Sequence, residues 1–388
     1  MSQKKVHYLS LDTPAILVDM DRLEANIREM SQLATESGVK LRPHTKVHES
    51  AAIAKVQLEA GACGIEVGPI DQSDPMAERG INDILVAHPF YGEHKLEKLK
   101  RILSKWSKLK LTIVVDMIEQ AEGISRIGQA VGQRVPVLVK LETGGNRYGV
   151  LPGEPVLNLA KRLCQLPGIA FKGIYAHEAG AEPTDEGVAK MAFEVATVTV
   201  ETAKMLRREG FMIECVSVGA SPTFRATCDY IKQGKFPEIT EIHPGNCVIG
   251  DIMHVMTHGN IREACALSVL VSVMSASHPN HVIMDAGWKT FGAESMIERW
   301  DTPGFFWKGK PSYGSVQGRS DLWFGKAGAE TGWLYYKENA KKDLNIGDRL
   351  EIVPNNATLV INIHDELYGT RNGSVERTFQ VTGRSSGS

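Results

Sequence analysis

From about residue 15 to residue 250, short apolar runs rich in Val and Ile alternate with longer stretches whose apolar residues recur every three or four positions. That alternation is the pattern of repeated strand–helix units on a parallel sheet. Runs 38–42, 63–67, 83–87, 111–115, 135–140, 170–175, 213–217 and 238–242 read as strands. Between them lie helical patterns such as 21–30, where Leu23, Ile27 and Met30 share one face and Asp21 offers an N-cap. Eight strands, each followed by a helix, favour a closed (β/α)8 TIM-type barrel, although an open doubly wound sheet produces the same alternation. After about residue 260 the texture changes. Runs 266–271, 281–285 and 349–353 follow without intervening helices and are broken by Gly and Pro, which predicts a second, mainly antiparallel β domain. Segment 11–19 either returns to pair with that domain or enters the barrel. The expected division is a barrel over 15–255 and a β domain over 1–14 plus 256–388.

Composition adds little to this picture but excludes several partners. A net charge of -2 gives no reason to expect nucleic acid or an anionic membrane surface. No apolar stretch approaches the roughly 18 residues of a membrane span, and the first residues lack the apolar core of a secretory signal. Six cysteines are scattered singly, without C-x-x-C spacing, and read as buried free thiols of a reducing compartment. A cytoplasmic protein is expected.

The chemistry concentrates where strands end. Lys46 stands in the run Arg42-Pro43-His44-Thr45-Lys46-Val47-His48, bracketed by two histidines. An amine desolvated beside such groups loses proton affinity and becomes a nucleophile toward carbonyls, so Lys46 is a candidate Schiff-base lysine. Later strands end in Gly68, His88, Asp116, the segment Glu142 to Arg147, Tyr175 with His177, Gly219-Ala220-Ser221, and His243 with Gly245 and Asn246. Each taken singly reads as a cap or turn; together they line the end of a barrel where active sites form. The small residues after the seventh and eighth strands match the way barrels hold a phosphate, with backbone N–H groups and a following helix start. A reactive lysine opposite a phosphate cradle spans a cofactor the size of pyridoxal 5'-phosphate.

On these residues the chain resembles the D-threonine aldolase and D-serine dehydratase family, which shares the fold of the alanine racemase amino-terminal domain. The resemblance runs nearly end to end. It is carried by residues 12–19, 42–48, the run Gly173-Ile174-Tyr175-Ala176-His177-Glu178, the seventh-strand glycine turn, residues 284–287, and 363–365 with 371–373. It implies that Lys46, with His44 beside it, anchors pyridoxal phosphate covalently, and that Gly219, Ala220, Ser221, Gly245 and Asn246 hold the phosphate. It also implies that His177 or Tyr175 meets the pyridine nitrogen, and that Arg147 lies near the ring. A homodimer acting on a small amino acid is expected.

One departure stands out. Family members that cleave or dehydrate β-hydroxy amino acids look to carry a metal pair, His-x-Cys or His-x-Asp, on one strand face late in the β domain. Asn356 and Thr358 occupy those places here, and neither is a good ligand for zinc or manganese. The resemblance therefore leaves a divalent metal open; without one, His48, His88 or His177 would deprotonate the β-hydroxyl. The expected function is retro-aldol cleavage of a small D-β-hydroxy-α-amino acid to glycine and an aldehyde. Alternatives are dehydration of D-serine or 3-hydroxyaspartate type, racemisation with Lys46 removing the α-proton, or cofactor binding without catalysis. The D preference comes from the resemblance alone.

Overall fold

A computed structural model describes residues 6–182, 184–257, 264–292, 306–308 and 310–384. All eight expected barrel strands form. Numbered in chain order after β1 (Ala15–Asp19), they are β2 (Lys40–Leu41), β3 (Ile65–Val67), β4 (Asp83–Val86), β5 (Lys110–Val115), β6 (Val135–Lys140), β7 (Ile169–Ala176), β8 (Cys215–Val218) and β9 (Glu241–Ile242). From β3 to β9 each strand pairs in parallel with the next, and β9 pairs in parallel with β2. A parallel bridge between His44 and Glu66, with the Cys63 N–H donating to the Leu41 carbonyl, joins β2 to β3 and closes the ring. The strand order never reverses, which excludes the doubly wound alternative.

The helices bury the faces their spacing dictates. In Glu93–Lys105 the buried residues are Leu96, Leu99, Ile102 and Leu103, one stripe at three- and four-residue intervals. The helix expected at 21–30 runs over Met20–Glu36, and its start differs from expectation: Asp19 Oδ1 accepts the Arg22 N–H at 3.0 Å, so Asp19 rather than Asp21 is the cap.

The second sheet is mostly antiparallel. Strand Leu267–His278 pairs antiparallel with His281–Met284, with Arg349–Pro354 and with β1, and β1 in turn runs parallel to Glu366–Arg371. The amino-terminal strand thus joins this sheet and does not enter the barrel. Among the described residues, one packing unit takes those up to Asn26, Val47–Ser50 and Asn246–Val381; the other takes Ile27–Lys46, Ala51–Gly245 and those from Thr382 onward. β1 finds its hydrogen bonds in the second sheet and packs with that unit. No described helix is long and apolar enough to cross a membrane. None of the six cysteines forms a disulfide among the described residues; Cys228, Cys247 and Cys265 are buried as expected, whereas Cys164 is exposed and Cys63 and Cys215 are half-buried.

Candidate active site

The carboxyl-terminal ends of the barrel strands converge on a cluster of amines, imidazoles and carboxyls. Lys46 lies in a single 3-10 turn, Thr45–Val47, directly after β2. Its backbone N–H points to His44 Nδ1 at 3.4 Å. Burial pushes the Lys46 amine below its ordinary value; nearby Glu66 works against this and Arg147 with it. A lysine in that state holds a nucleophilic lone pair at lower pH than a surface lysine does.

Imidazoles face this amine from other strands. Burial, with the cationic groups Lys46 and Lys140, takes His177 down to about 3. Its Nδ1 lies 3.0 Å from the Gly219 carbonyl, which only accepts, so the proton sits on Nδ1 and the Nε2 lone pair is free to act. His88 is brought down to about 4, by burial first and then by Lys46, Arg147 and Lys140, and its ring meets Tyr148 edge-on at 6.1 Å. His44 and His243 are likewise held well below the usual histidine range, chiefly by burial. All four are neutral at physiological pH, which makes them acceptors and bases rather than counter-ions.

Across the barrel, Tyr175 of β7 donates its hydroxyl proton to Glu66 Oε1 of β3 at 2.9 Å, and its ring stacks on His243 with centroids 4.2 Å apart. Glu66 is wholly buried, and burial, ahead of the opposing Tyr175 hydrogen bond and Lys46, raises its carboxyl to about 8. Lys140, at the end of β6, lies 4.5 Å over the Tyr175 ring and 5.3 Å over that of Tyr148. Burial lowers it to about 8. Below this layer Ser217 donates to Glu241 at 3.0 Å and contacts His243 Nδ1 at 2.8 Å, while Arg42 bridges Glu241 and Asp83 at 2.9 and 2.6 Å. This lower network satisfies buried charge and closes the barrel floor.

The glycine turns lie close against the barrel wall. A Cβ on Gly219, whose φ is +148°, would meet the His243 nitrogen at 2.8 Å; one on Gly245 would meet the His44 carbonyl at 3.0 Å. Ser221 Oγ accepts the Gly245 N–H at 3.1 Å and ties the two turns together, and helix Phe224–Lys232 starts immediately beyond. Glycine is required at 219 on both steric and conformational grounds. Gly219→Ala should lose about 1–3 kcal/mol of folding stability, measured by chemical denaturation. A change within about 0.5 kcal/mol would show that the turn adapts.

These features match a known family. The model for the alanine racemase N-terminal domain matches residues 18–252, and that for a putative serine dehydratase domain matches residues 266–370. The chain belongs to the alanine racemase N-terminal domain family. A 3-hydroxy-D-aspartate aldolase of Paracoccus denitrificans is 29% identical, over 97% of this chain and 93% of the relative. A D-threo-3-hydroxyaspartate dehydratase of a Delftia species is 31% identical, over 90% and 91%. Among solved structures, D-threonine aldolase from Filomicrobium marinum superposes with a TM-score of 0.85 at 26% identity, over 99% of this chain and 98% of that one.

Within this family frame, the barrel unit brings together Lys46, His44, His88, Arg147, Tyr175, His177, Gly219, Ala220, Ser221 and Gly245. Two expected residues fall in the other packing unit. His48 is fully buried and accepts the Ser50 N–H on Nδ1 at 3.1 Å. Asn246 donates from Nδ2 to Asp251 at 2.8 Å, while its Oδ1 is buried without a hydrogen-bond partner. Arg147 is exposed, and its guanidinium lies 4.5 Å over the Tyr148 ring. Glu142 organises the loop that carries it, accepting the N–H groups of Gly144, Asn146 and Arg147 at 2.7, 3.0 and 3.3 Å. Glu66, Lys140, Ser217 and Glu241 were not among the expected site residues.

The metal positions also differ from expectation. Asn356 and Thr358 do not share a strand face, because the strand ends at Pro354 and a helix, Ala357–Asn362, begins at once. Asn356 is the N-cap of that helix, its side-chain oxygen accepting the Leu359 N–H at 3.2 Å, and Thr358 lies in the first turn. Among the described residues no group of three or more His, Cys, Asp or Glu side chains could hold a metal ion. The donor set does not fit the family's divalent site.

Proposed function

We propose that the chain is a pyridoxal-phosphate-dependent lyase that cleaves a small D-β-hydroxy-α-amino acid to glycine and an aldehyde. The observation that carries this reading is a half-buried lysine amine of lowered proton affinity after β2 and, after the neighbouring strands β9 and β8, two glycine turns tied by Ser221 ahead of a helix start. Buried polar atoms without a protein partner, Glu66 Oε2 and His243 Nε2, fit a polar ligand in the barrel. When bound, pyridoxal phosphate supplies an aldehyde for the amine and an electron-withdrawing ring for charge developing at the substrate Cα.

The chain's own residues do the rest. Lys46 offers an amine, its proton affinity lowered by burial, for covalent attachment and exchange. Gly219, Ala220, Ser221 and Gly245 shape the phosphate cradle, and the start of helix Phe224–Lys232 adds positive potential. Lys140 and Arg147 place positive charge where a substrate carboxylate enters. His177, with Nδ1 held by the Gly219 carbonyl, leaves its Nε2 lone pair open to take the β-hydroxyl proton. His88, similarly neutral, is the second base candidate.

The names of relatives support both outcomes of such chemistry, since one is an aldolase and another a dehydratase. The test is product analysis on D-threonine and 3-hydroxy-D-aspartate. Glycine with an aldehyde supports cleavage; ammonia with a keto acid assigns dehydration; the opposite enantiomer assigns racemisation. Binding of the cofactor without any turnover would make the chain a carrier. The substitution of the metal donors yields a further expectation: prolonged chelator treatment should leave turnover within about twofold, because no metal-tuned acidity is being removed. A tenfold loss restored by manganese or zinc would contradict it. A cytoplasmic homodimer completes the proposal.

A further inference from the structure

Glu66 is a buried carboxyl in the middle of an apolar strand, between Ile65 and Val67. It points into the barrel, since Oε1 accepts the hydroxyl of Tyr175 from β7, four strands away around the ring. His44 Nε2 stands 3.4 Å from the same oxygen. With Nδ1 of that ring facing the Lys46 N–H, the His44 proton belongs on Nε2, so Oε1 meets donors from two strands. Oε2 is buried and has no hydrogen-bond partner. A carboxyl is not left half-satisfied in a barrel interior without a reason, because the uncompensated oxygen costs about 1–3 kcal/mol.

The reason lies in the surrounding charges. Lys140 lies 4.5 Å over the ring of Tyr175, whose hydroxyl donates to Glu66, and Lys46 follows His44, whose Nε2 stands 3.4 Å from the same carboxyl. Other carboxyls nearby are differently engaged. Glu142 is spent on loop amides, Glu241 on Arg42 and Ser217, and Asp116 on Gln120 and Gly149. Glu178, buried beside the glycine turn with neither oxygen hydrogen-bonded, adds a weaker attraction to Lys140 than Glu66 does.

We propose that Glu66 is a positioning residue of the site, the charge partner shared by Lys46 and Lys140, which sets how many protons the two amines hold when an anionic substrate or phosphate enters. The proposal deepens the reading of Lys46 as the covalent anchor and rests on it. The groups that face Glu66 are His44 and Lys46 after β2, Lys140 from β6, Tyr175 from β7 and Glu241 from β9. The direction follows from Coulomb's law: an ionised Glu66 favours the ammonium form of both lysines, so its removal lowers their midpoints. Burial already places Glu66 and Lys140 both near 8, so the carboxyl and the amine exchange a proton at little cost close to neutral pH.

The experiment is competitive acetylation of the full chain, freed of cofactor, across a pH series, with peptide mass mapping to read Lys46 and Lys140 separately. Glu66→Gln should lower both midpoints, read as about threefold more labelling at a fixed pH near 8, where the wild-type carboxyl ionises. Glu66→Asp, which keeps the charge, should return most of that shift. Glu214→Gln, which removes the exposed partner of Lys172, should leave both midpoints in place. Midpoints unchanged in Glu66→Gln, or displaced equally by Glu214→Gln, would overturn the assignment. Should Glu66→Gln fail to fold, Tyr175→Phe answers the same question. Without its donor the carboxyl ionises less readily, so both midpoints fall in the same direction by less, and no movement rejects the proposal. Because no substrate or cofactor is present, this result stands whether or not the lyase assignment does.

Discussion

Lys46→Ala is expected to abolish turnover, by on the order of a thousandfold or more, while leaving the fold intact. The asymmetry follows from where the amine sits. Its charge is disfavoured by burial, so removing it relieves a desolvation cost that outweighs the lost attraction to Glu66. Thermal unfolding of Lys46→Ala should therefore occur at or above the wild-type temperature, and cofactor should no longer be held covalently. Lys46→Arg sharpens the test. Arginine keeps a positive charge but stays protonated at any accessible pH and cannot act as the nucleophile, so it should be as inactive as alanine. Turnover of Lys46→Arg within tenfold of wild type would mean that Lys46 contributes only charge.

The second large effect concerns His177. Its ring is oriented by one hydrogen bond, Nδ1 to the Gly219 carbonyl, and kept neutral by burial and by Lys46 and Lys140. His177→Ala should lower kcat by about 10²–10⁴, the span typical of a lost general base, with covalent attachment of cofactor at Lys46 unaffected. His177→Asn places an amide N–H near the old Nδ1 and restores contact with Gly219 without restoring the base. It should recover stability, roughly the 1 kcal/mol of that hydrogen bond, and not rate. The wild-type rate should show no inflection at the ordinary histidine value, since the group is already deprotonated from about pH 4 upward. If the rate instead fell as pH dropped through about 6.5, an unperturbed imidazole would be the base, and His177 would lose the assignment.

Much of the barrel was legible because its signal is local. Val and Ile runs separated by amphipathic helices give strands wherever the chain places them, and strand ends give site positions by geometry alone, which is how Lys46, His88, Tyr175 and His177 were reached. The seventh- and eighth-strand glycines were legible for the same reason. What was missed depended on partners distant in sequence. Segment 11–19 is apolar enough for either sheet, and only its pairing with Leu267–His278 decides which. Asn356 and Thr358 were placed on a strand because the preceding run reads as one, yet Asn356 is a good N-cap and ends it. His48 was grouped with Lys46 because only Val47 separates them, whereas the two fall in different packing units. Glu66 carried a readable sign, a lone acid between Ile65 and Val67. In a barrel such a residue points either at solvent or into the core, and only closure of the ring shows that Tyr175 awaits it on the far wall.

The proposed function requires a covalent bond between the Lys46 amine and pyridoxal phosphate. Borohydride reduction of the cofactor-loaded full chain, followed by proteolysis and mass mapping, reads that bond. One phosphopyridoxyl group per chain is expected, carried by the peptide that contains Lys46. A label on Lys140 or any other lysine, or none at all, would refute the assignment.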